Sequence, residues 1–454
     1  MTTISIRENS TKKPPIARSI TENGKLISWI DNPLTYLRKC HEKYGEIFRI
    51  GSEESSLTVL GGLQSNQLLG RESKAFLSSN EFWSDTLTEM NCPHSFIGVD
   101  DEVHRFQRDL MRPMFSKSYF KDSISEFYNT FKNILGSQFD QHETLVSPFF
   151  RNTLSTQIGY ALQGYAPTHE EVEALIEYQA TAMNACSFKR ISRKILQSES
   201  YLKSKNTAHE LADRIIHSKL SDNDKTRYID VLIKEGTQNR PEWFTRGDIR
   251  NHAIIPFLAG IDTVGAALSF AIRELLINPD IRHELKEEAS RVIRRDPDLS
   301  MIEEMTRINL FMKEILRLYP PAFALYRVAT NDFNFHDYKI SKGETLIFFI
   351  TACHTDDRYF ENPYEFKIDR FARPDIVSGV YAPFGKGPHT CIGTGLSNII
   401  LPLNLATLLH YADFDYDGDI NSLALDFTKP ALSLDPGFSI SLKPSENYKQ
   451  SIAS

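Results

Sequence analysis

Ten consecutive residues, Phe384-Gly385-Lys386-Gly387-Pro388-His389-Thr390-Cys391-Ile392-Gly393, concentrate the chemistry of this chain around one sulfur. Glycines adopt turns that other residues resist and let a backbone approach a flat object closely. An apolar run follows and reads as a helix, which places Cys391 near a helix start. Unpaired backbone N–H groups and the positive dipole end stabilise a thiolate there. The bland alternative is a structural cysteine in a glycine-rich turn. A lone Gly-x-Gly would not outweigh it; the whole string does. Zinc does not fit, because His389 and Cys391 have no second ligand pair nearby.

Three other groups could act with that sulfur. Ala259-Gly260-Ile261-Asp262-Thr263 interrupts an apolar run from Ala253 to Ile272. Gly260 leaves room for a diatomic ligand, Thr263 offers a hydroxyl and Asp262 a proton source beside it. Taken alone, the same residues read as a core Thr bonded back to its helix and a salt-bridged Asp. Glu314 and Arg317, three apart, share a helix face; as a surface pair they would be worth only ~0.3–0.5 kcal/mol. His104 and Arg108, four apart, also share a face. With Arg327 and His389 they could meet a dianionic partner, although each alone is more often a surface charge.

The ten-residue string resembles the haem-binding loop of the cytochrome P450 family, the haem-thiolate monooxygenases. It matches Phe-Gly-x-Gly-x-His-x-Cys-x-Gly at every fixed position, and the other strings follow in the family's order. The resemblance runs roughly from Asp31 to Pro444 and is to the soluble, bacterial type. It implies haem b (iron protoporphyrin IX) with Cys391 as axial iron ligand, the ligation by which this family is known. Phe384, Gly385, Gly387 and Gly393 then shape the loop, and Gly260 lies over the distal face. His104, Arg108, Arg327 and His389 are expected at the propionates, and Asp262 and Thr263 in proton delivery. Glu314 and Arg317 would form a buried structural group with Arg370. The chain also departs from the pattern. The family usually continues after Gly393 with Ala and then Glu, whereas Ser397 and Ile400 stand here. Pro402 falls in that helix, and Val264 follows Thr263 where a second hydroxyl is frequent.

The implied fold is mainly α with a smaller β-rich part, the haem lying between a long kinked distal helix and the proximal Cys-loop helix. One catalytic domain is expected over residues 25–454, after a flexible polar N-terminus of residues 1–24. Thr245 with Asp248 gives a capping-box start, and Asn278-Pro279 a stop, so about 33 residues form one helix of ~50 Å. Pro256 should kink it, since proline lacks an N–H and clashes with the carbonyl four residues back. Helices are expected at Asp31–Glu42, Pro279–Arg295 and Met301–Tyr319, with a final one after Cys391. Strands are expected at Glu46–Arg49, Ser56–Leu60, Tyr338–Ile340 and Thr345–Ile350.

Bulk properties narrow the setting. A net charge of −7 over 454 residues argues against nucleic acid as a partner. Five scattered cysteines suit a reducing cytoplasm rather than a disulfide framework. The 253–272 run is near the ~20 residues a membrane span needs, but Asp262 at its centre points to a buried helix, so no transmembrane anchor is expected. By resemblance the protein is a monomer that hydroxylates or epoxidises a hydrophobic small molecule with O2. The lining would come from 82–97, 183–188, 255–259, 323–325 and 434–436. Electrons would come from a ferredoxin or flavodoxin with its NAD(P)H reductase, docking near Arg105, Arg112, Lys117 and Lys386. The rivals are a peroxide-driven peroxygenase, a redox-neutral haem-thiolate isomerase or dehydratase, and a haem-based sensor.

Overall fold

The computed structural model describes residues 11–22, 24–71, 73–219, 227–238, 241–293, 297–373 and 375–453. The helices that position the chemistry are α1 (Asn80–Glu89), α2 (Asp101–Met111), α3 (Val146–Ile158), α4 (His169–Cys186), α5 (Tyr228–Gln238), α6 (Arg246–Ile277), α7 (Thr306–Leu318) and α8 (Thr394–Tyr411). The strands of the main sheet are β1 (Ile47–Gly51), β2 (Ser56–Gly61), β3 (Leu77–Ser78), β4 (Leu325–Ala329) and β5 (Thr345–Phe349).

α6 is the axis of the molecule. Thr245 and Asp248 cap each other reciprocally at its start, and Asn278 ends it before Pro279. Its 32 residues are apolar nearly all round, the pattern of a helix that runs through a core. α3, α4, α5, α7 and α8 all pack on it. It alone among the described residues is long and apolar enough to cross a membrane, and 78% of its most apolar window is buried inside the protein. The expected buried helix is therefore what forms. It continues through Pro256, and Gln163 Nε2 donates to Ala253 O at 2.7 Å in the turn that the missing N–H loosens.

The sheet runs in the order β1-β2-β5-β4-β3, with β2 and β5 parallel and the other pairs antiparallel. Phe48, Val59, Leu60, Leu346, Ile347 and Phe348 are fully buried, so both faces are covered at its centre. Pairing with β5 fixes β4 in register, with Arg327 opposite Leu346.

Several expectations need correction. Residues 11–22 of the N-terminal stretch are not loose: Ala17 N donates to Arg49 O, Arg49 N donates to Pro15 O, and Ala17 and Ile20 are buried. β1 is an edge strand, and this segment satisfies its outer hydrogen bonds. Residues 1–10 lie outside the described residues. The 279–295 helix ends at Val292, and the end expected at Arg295 lies outside the described residues. Met305 divides the 301–319 stretch into Leu299–Glu304 and α7. The helix after Cys391 is not the last, since Glu446–Ala453 follows it.

A buried polar chain ties α5, α6 and α2 together. His252 joins Gln107 Oε1 at 2.7 Å and Tyr228 Oη at 2.7 Å, while Gln107 Nε2 donates to His94 O. A carboxamide oxygen only accepts, so His252 carries its proton on Nε2 and accepts from Tyr228 at Nδ1. Burial lowers the His252 pKa from 6.5 to about 4. The unfolded chain then binds more protons than the folded one between those values, so stability falls as pH drops from 6.5 toward about 4. Denaturant midpoints measured from pH 7 to 4 should show this fall, and His252→Gln should flatten part of it. An unaltered slope in that variant would assign the titration to other groups.

Candidate functional site

The loop before α8 is built by hydrogen bonds that turn Cys391 inward. Cys391 N donates to Phe384 O at 2.8 Å, and Thr390 Oγ1 donates to Gly387 O at 2.7 Å. Gly385 and Gly387 have φ of +74° and +79°. A Cβ on Gly387 would lie 2.1 Å from Leu69 O, so only glycine fits there. Gly393 is the N-cap of α8, and a Cβ on it would sit 3.7 Å from the Cys391 sulfur.

Cys391 is the exposed cysteine; Cys40, Cys92, Cys186 and Cys353 are buried. Yet burial pushes its thiol pKa up, opposed by hydrogen bonds from Gly393 and Thr394 and by the charge of Arg108. The two observations agree if the sulfur is walled by protein and open on one side to an interior space. A net upward shift leaves it a thiol until a cation binds it.

Beside it, a cavity of about 420 Å³ gathers His104 and Arg108 from α2, Arg327 from β4 and His389 from the loop. The His104 and His389 rings lie 4.0 Å apart. His389 Nε2 meets Asp100 Oδ1 at 3.2 Å, and the other Asp100 oxygen accepts from Ser78 Oγ, Ser79 N and Asn80 N. Burial, with His389, Arg108 and Arg327 adding repulsion, lowers His104 to about 3. Burial lowers Arg327 to about 10, against the pull of Asp100. His104 Nε2 and Arg108 Nη1 are buried with no hydrogen-bond partner. Buried polar atoms without partners are rare in native proteins, and here they cluster. The donors exceed the acceptors, which suits a ligand carrying carboxylates.

α6 carries the remaining candidate residues. Residues 253–258 are buried, Ala259 is exposed, and Gly260, Asp262 and Thr263 are partly so before burial resumes at Val264. A helix exposed for one turn in mid-core faces an internal space. Thr263 Oγ1 donates to Ala259 O at 2.8 Å. Asp262 Oδ1 accepts from Arg151 Nε at 2.9 Å, and Arg151 also reaches Glu173 at 3.3 Å. A Cβ at Gly260 would meet Ile158 Cδ1 at 2.9 Å, the movable end of a side chain.

The sequence profile described as Cytochrome P450 matches residues 14–436. The chain belongs to the cytochrome P450 family. Cytochrome P450 3A5 of Homo sapiens is 28% identical over 218 residues, 46% of this chain and 43% of that protein. Cytochrome P450 76AD1 of Beta vulgaris is 32% identical over 231 residues, 49% of this chain and 44% of that one. The matched region thus spans less than half the length of these relatives. The cofactor of a cytochrome P450 is haem b. The sulfur, the unpaired donors and the close Gly387 contact fit it: Cys391 would hold the iron, and His104, Arg108, Arg327 and His389 would meet the propionates.

Behind the loop of this cytochrome P450, Glu314 and Arg317 are fully buried. Arg317 Nε and Nη2 each donate to Glu314 at 2.7 Å, and Nη1 donates to His354 O and Pro363 O, both at 2.6 Å. Arg370 Nε donates to Glu314 Oε1 at 3.0 Å and holds three carbonyls, those of Glu361, Asn362 and Glu365. The expected three-residue group forms as a structural brace. Its link to the loop went unnoticed in the sequence: His354 Nδ1 bonds Arg317 O at 3.1 Å, and His354 Nε2 accepts from Ala382 N at 3.0 Å. Burial lowers this histidine to about 3, so it stays neutral and bridges donor to acceptor. Asp100 and Arg151 were missed as well. Asp100, just before the acidic first turn of α2, carried a capping signal, but its side chain caps the start of α1 instead.

Removing one partner of a buried pair strands a charge and costs about 3–5 kcal/mol. Glu314→Ala or Arg317→Ala should therefore yield protein with several-fold less haem per chain. Normal haem content by absorbance against protein concentration would contradict the brace.

Proposed function

We propose that this chain is a haem-thiolate monooxygenase that hydroxylates or epoxidises a hydrophobic small molecule using O2. The observation that carries this is the open sulfur of Cys391 beside Arg108, whose buried nitrogen has no partner. A bound haem supplies the oxygen chemistry, and the thiolate donates electron density to it. The protein supplies position, protons and dryness.

Thr263 and Asp262 are the proposed proton carriers. Thr263 holds its proton on a helix carbonyl within the exposed turn, one residue from Asp262. Asp262 is held by Arg151 in a small cavity that also includes Lys429. Rotation of Asp262 away from Arg151 would bring its carboxyl from that side toward the Thr263 turn. Arg151 also bears on the peroxygenase rival, which needs an arginine free for a substrate carboxylate. Arg151 reaches this turn but is matched by Asp262 and Glu173, so monooxygenation is favoured.

A hydrophobic substrate is supported by the aromatic group where expected segments meet. Phe82 stacks on Tyr326 at 4.7 Å, Phe188 lies 5.2 Å from Tyr326, and Trp83 lies 5.7 Å from Phe188. Leu434 lines the space near Asp262 instead. A separate acidic electron carrier, a ferredoxin or flavodoxin with its reductase, could meet Arg105 and Arg112, which line the cavity with Arg108 and Lys74, although Glu81, Asp101 and Asp109 line it too. The backbone at Phe115 and Lys117 packs close to Gly395 at the start of α8, which supports counting Lys117 with them. Free thiols favour a cytoplasmic setting.

The reduced protein under carbon monoxide should show the red-shifted Soret band of a thiolate ligand, and Cys391→His should abolish it; persistence of the band in that variant would refute the assignment. Thr263→Ala should keep the band but release most consumed oxygen as peroxide, roughly a tenfold or greater loss of coupling, within the range for one proton-transfer group. Full coupling, read from product against oxygen consumed, would route the protons elsewhere.

A further inference from the structure

Two buried side-chain oxygens near α6 have no partner. Ser95 Oγ and Asn251 Oδ1 are both buried without a hydrogen bond, their residues 0% and 6% exposed. Both line one cavity of about 20 Å³ whose other walls include Trp83, Met183, Ile255 and Leu258. No charged side chain lines it, and Thr86, the other hydroxyl there, is occupied by Ser187 at 2.6 Å. The volume suits one hydroxyl-sized group.

The cavity borders α6 on the N-terminal side of its exposed turn, at Asn251, Ile255 and Leu258. Asn251, Ile255, Ala259 and Thr263 follow at four-residue spacing, a single ridge on the helix. Eight residues separate Asn251 from the exposed Ala259, a rise of roughly 12 Å. A molecule whose reacting carbon lies near the Thr263 turn could thus place its far end between Ser95 and Asn251.

We propose that this cavity is a specificity subsite for a neutral hydroxyl at the remote end of an apolar substrate. The proposal rests on the monooxygenase assignment and names the substrate class. A substrate hydroxyl would donate to Asn251 Oδ1 and accept from Ser95 Oγ–H, satisfying both atoms at once. A carboxylate would meet the amide oxygen with no cation to balance it, and an alkyl end would leave both atoms unpaired. Ser95 and Asn251 are therefore specificity residues that act at a distance from the reacting atoms.

The test is a titration of the ferric, haem-loaded full chain with 1-dodecanol, n-dodecane and dodecanoate, following the low-to-high-spin shift. The wild type should bind the alcohol about 10-fold or more tightly than the alkane or the acid, the ratio expected for leaving a buried polar atom unpaired. Asn251→Leu should remove that preference while retaining alkane affinity. Ser95→Ala, which deletes one oxygen and little volume, should reduce the preference even if the Asn251 variant misfolds. Equal affinities for alcohol and alkane in the wild type, or an undiminished preference in Ser95→Ala, would overturn the subsite; the two atoms would then be served by ordered water. Such a result alongside a normal thiolate Soret band leaves the monooxygenase assignment standing, whereas loss of that band removes the assignment itself.

Discussion

A sulfur that is to bind a metal cation inside a protein must be desolvated on most sides and open on one. At Cys391 burial drives the thiol toward its neutral form, and only the Gly393 and Thr394 donors and the Arg108 charge oppose that drift. Much of the surrounding structure serves that balance. The loop reverses direction at two glycines in the left-handed region, one against the Leu69 carbonyl. α8 begins three residues after Cys391, at Thr394, so its N-terminal amides lie beside the sulfur. A ligand that brings both a cation for the thiolate and carboxylates for the stranded donors resolves both costs together.

The second constraint is rigidity behind the loop. Glu314 accepts from both Arg317 and Arg370 and from Lys367 N, and the two guanidiniums together make six further contacts to five carbonyls, sharing that of Glu365. A group this buried adds little to net stability over apolar side chains of equal volume, but losing one partner is costly. Its geometry pins the chain from Pro363 to Arg370, while His354 passes the same restraint to Ala382, two residues before Phe384. The brace thereby reaches the loop without touching the sulfur.

On the opposite side α6 reconciles two demands that conflict in a uniform helix. Its ends must be apolar to sit in the core, and its middle must present polar groups to an internal space. The change takes place within one turn, from buried Leu258 to partly exposed Thr263. The Asp262 carboxylate is tolerated there because Arg151 meets it directly. The neighbouring buried pair of Gln107 and His252 anchors α6 to α2, the helix that carries His104 and Arg108. The donor cluster and the proton-bearing turn are therefore held by a shared hydrogen-bonded link.

Short-range signals were legible in the residues. The Thr245 box and Asn278-Pro279 bounded α6 almost to the residue, because capping is a contact between neighbours in sequence. The glycine loop, the Glu314–Arg317 spacing and the Thr263 back-bond were readable for the same reason. The N-terminal stretch was misjudged because residues 11–22 are polar by composition, and their pairing with Arg49 depends on an edge strand that only the folded sheet supplies. Asp100 on His389, Arg151 on Asp262 and His354 between two segments unite residues 289, 111 and 28 positions apart. Sequence by itself determined which turns and helices form and which atoms carry reactivity, since these follow from local sterics and intrinsic chemistry. Which charges meet, which polar atoms are left without partners and where an interior space opens were decided by tertiary packing alone, because desolvation and pairing depend on what the rest of the chain brings within a few ångströms.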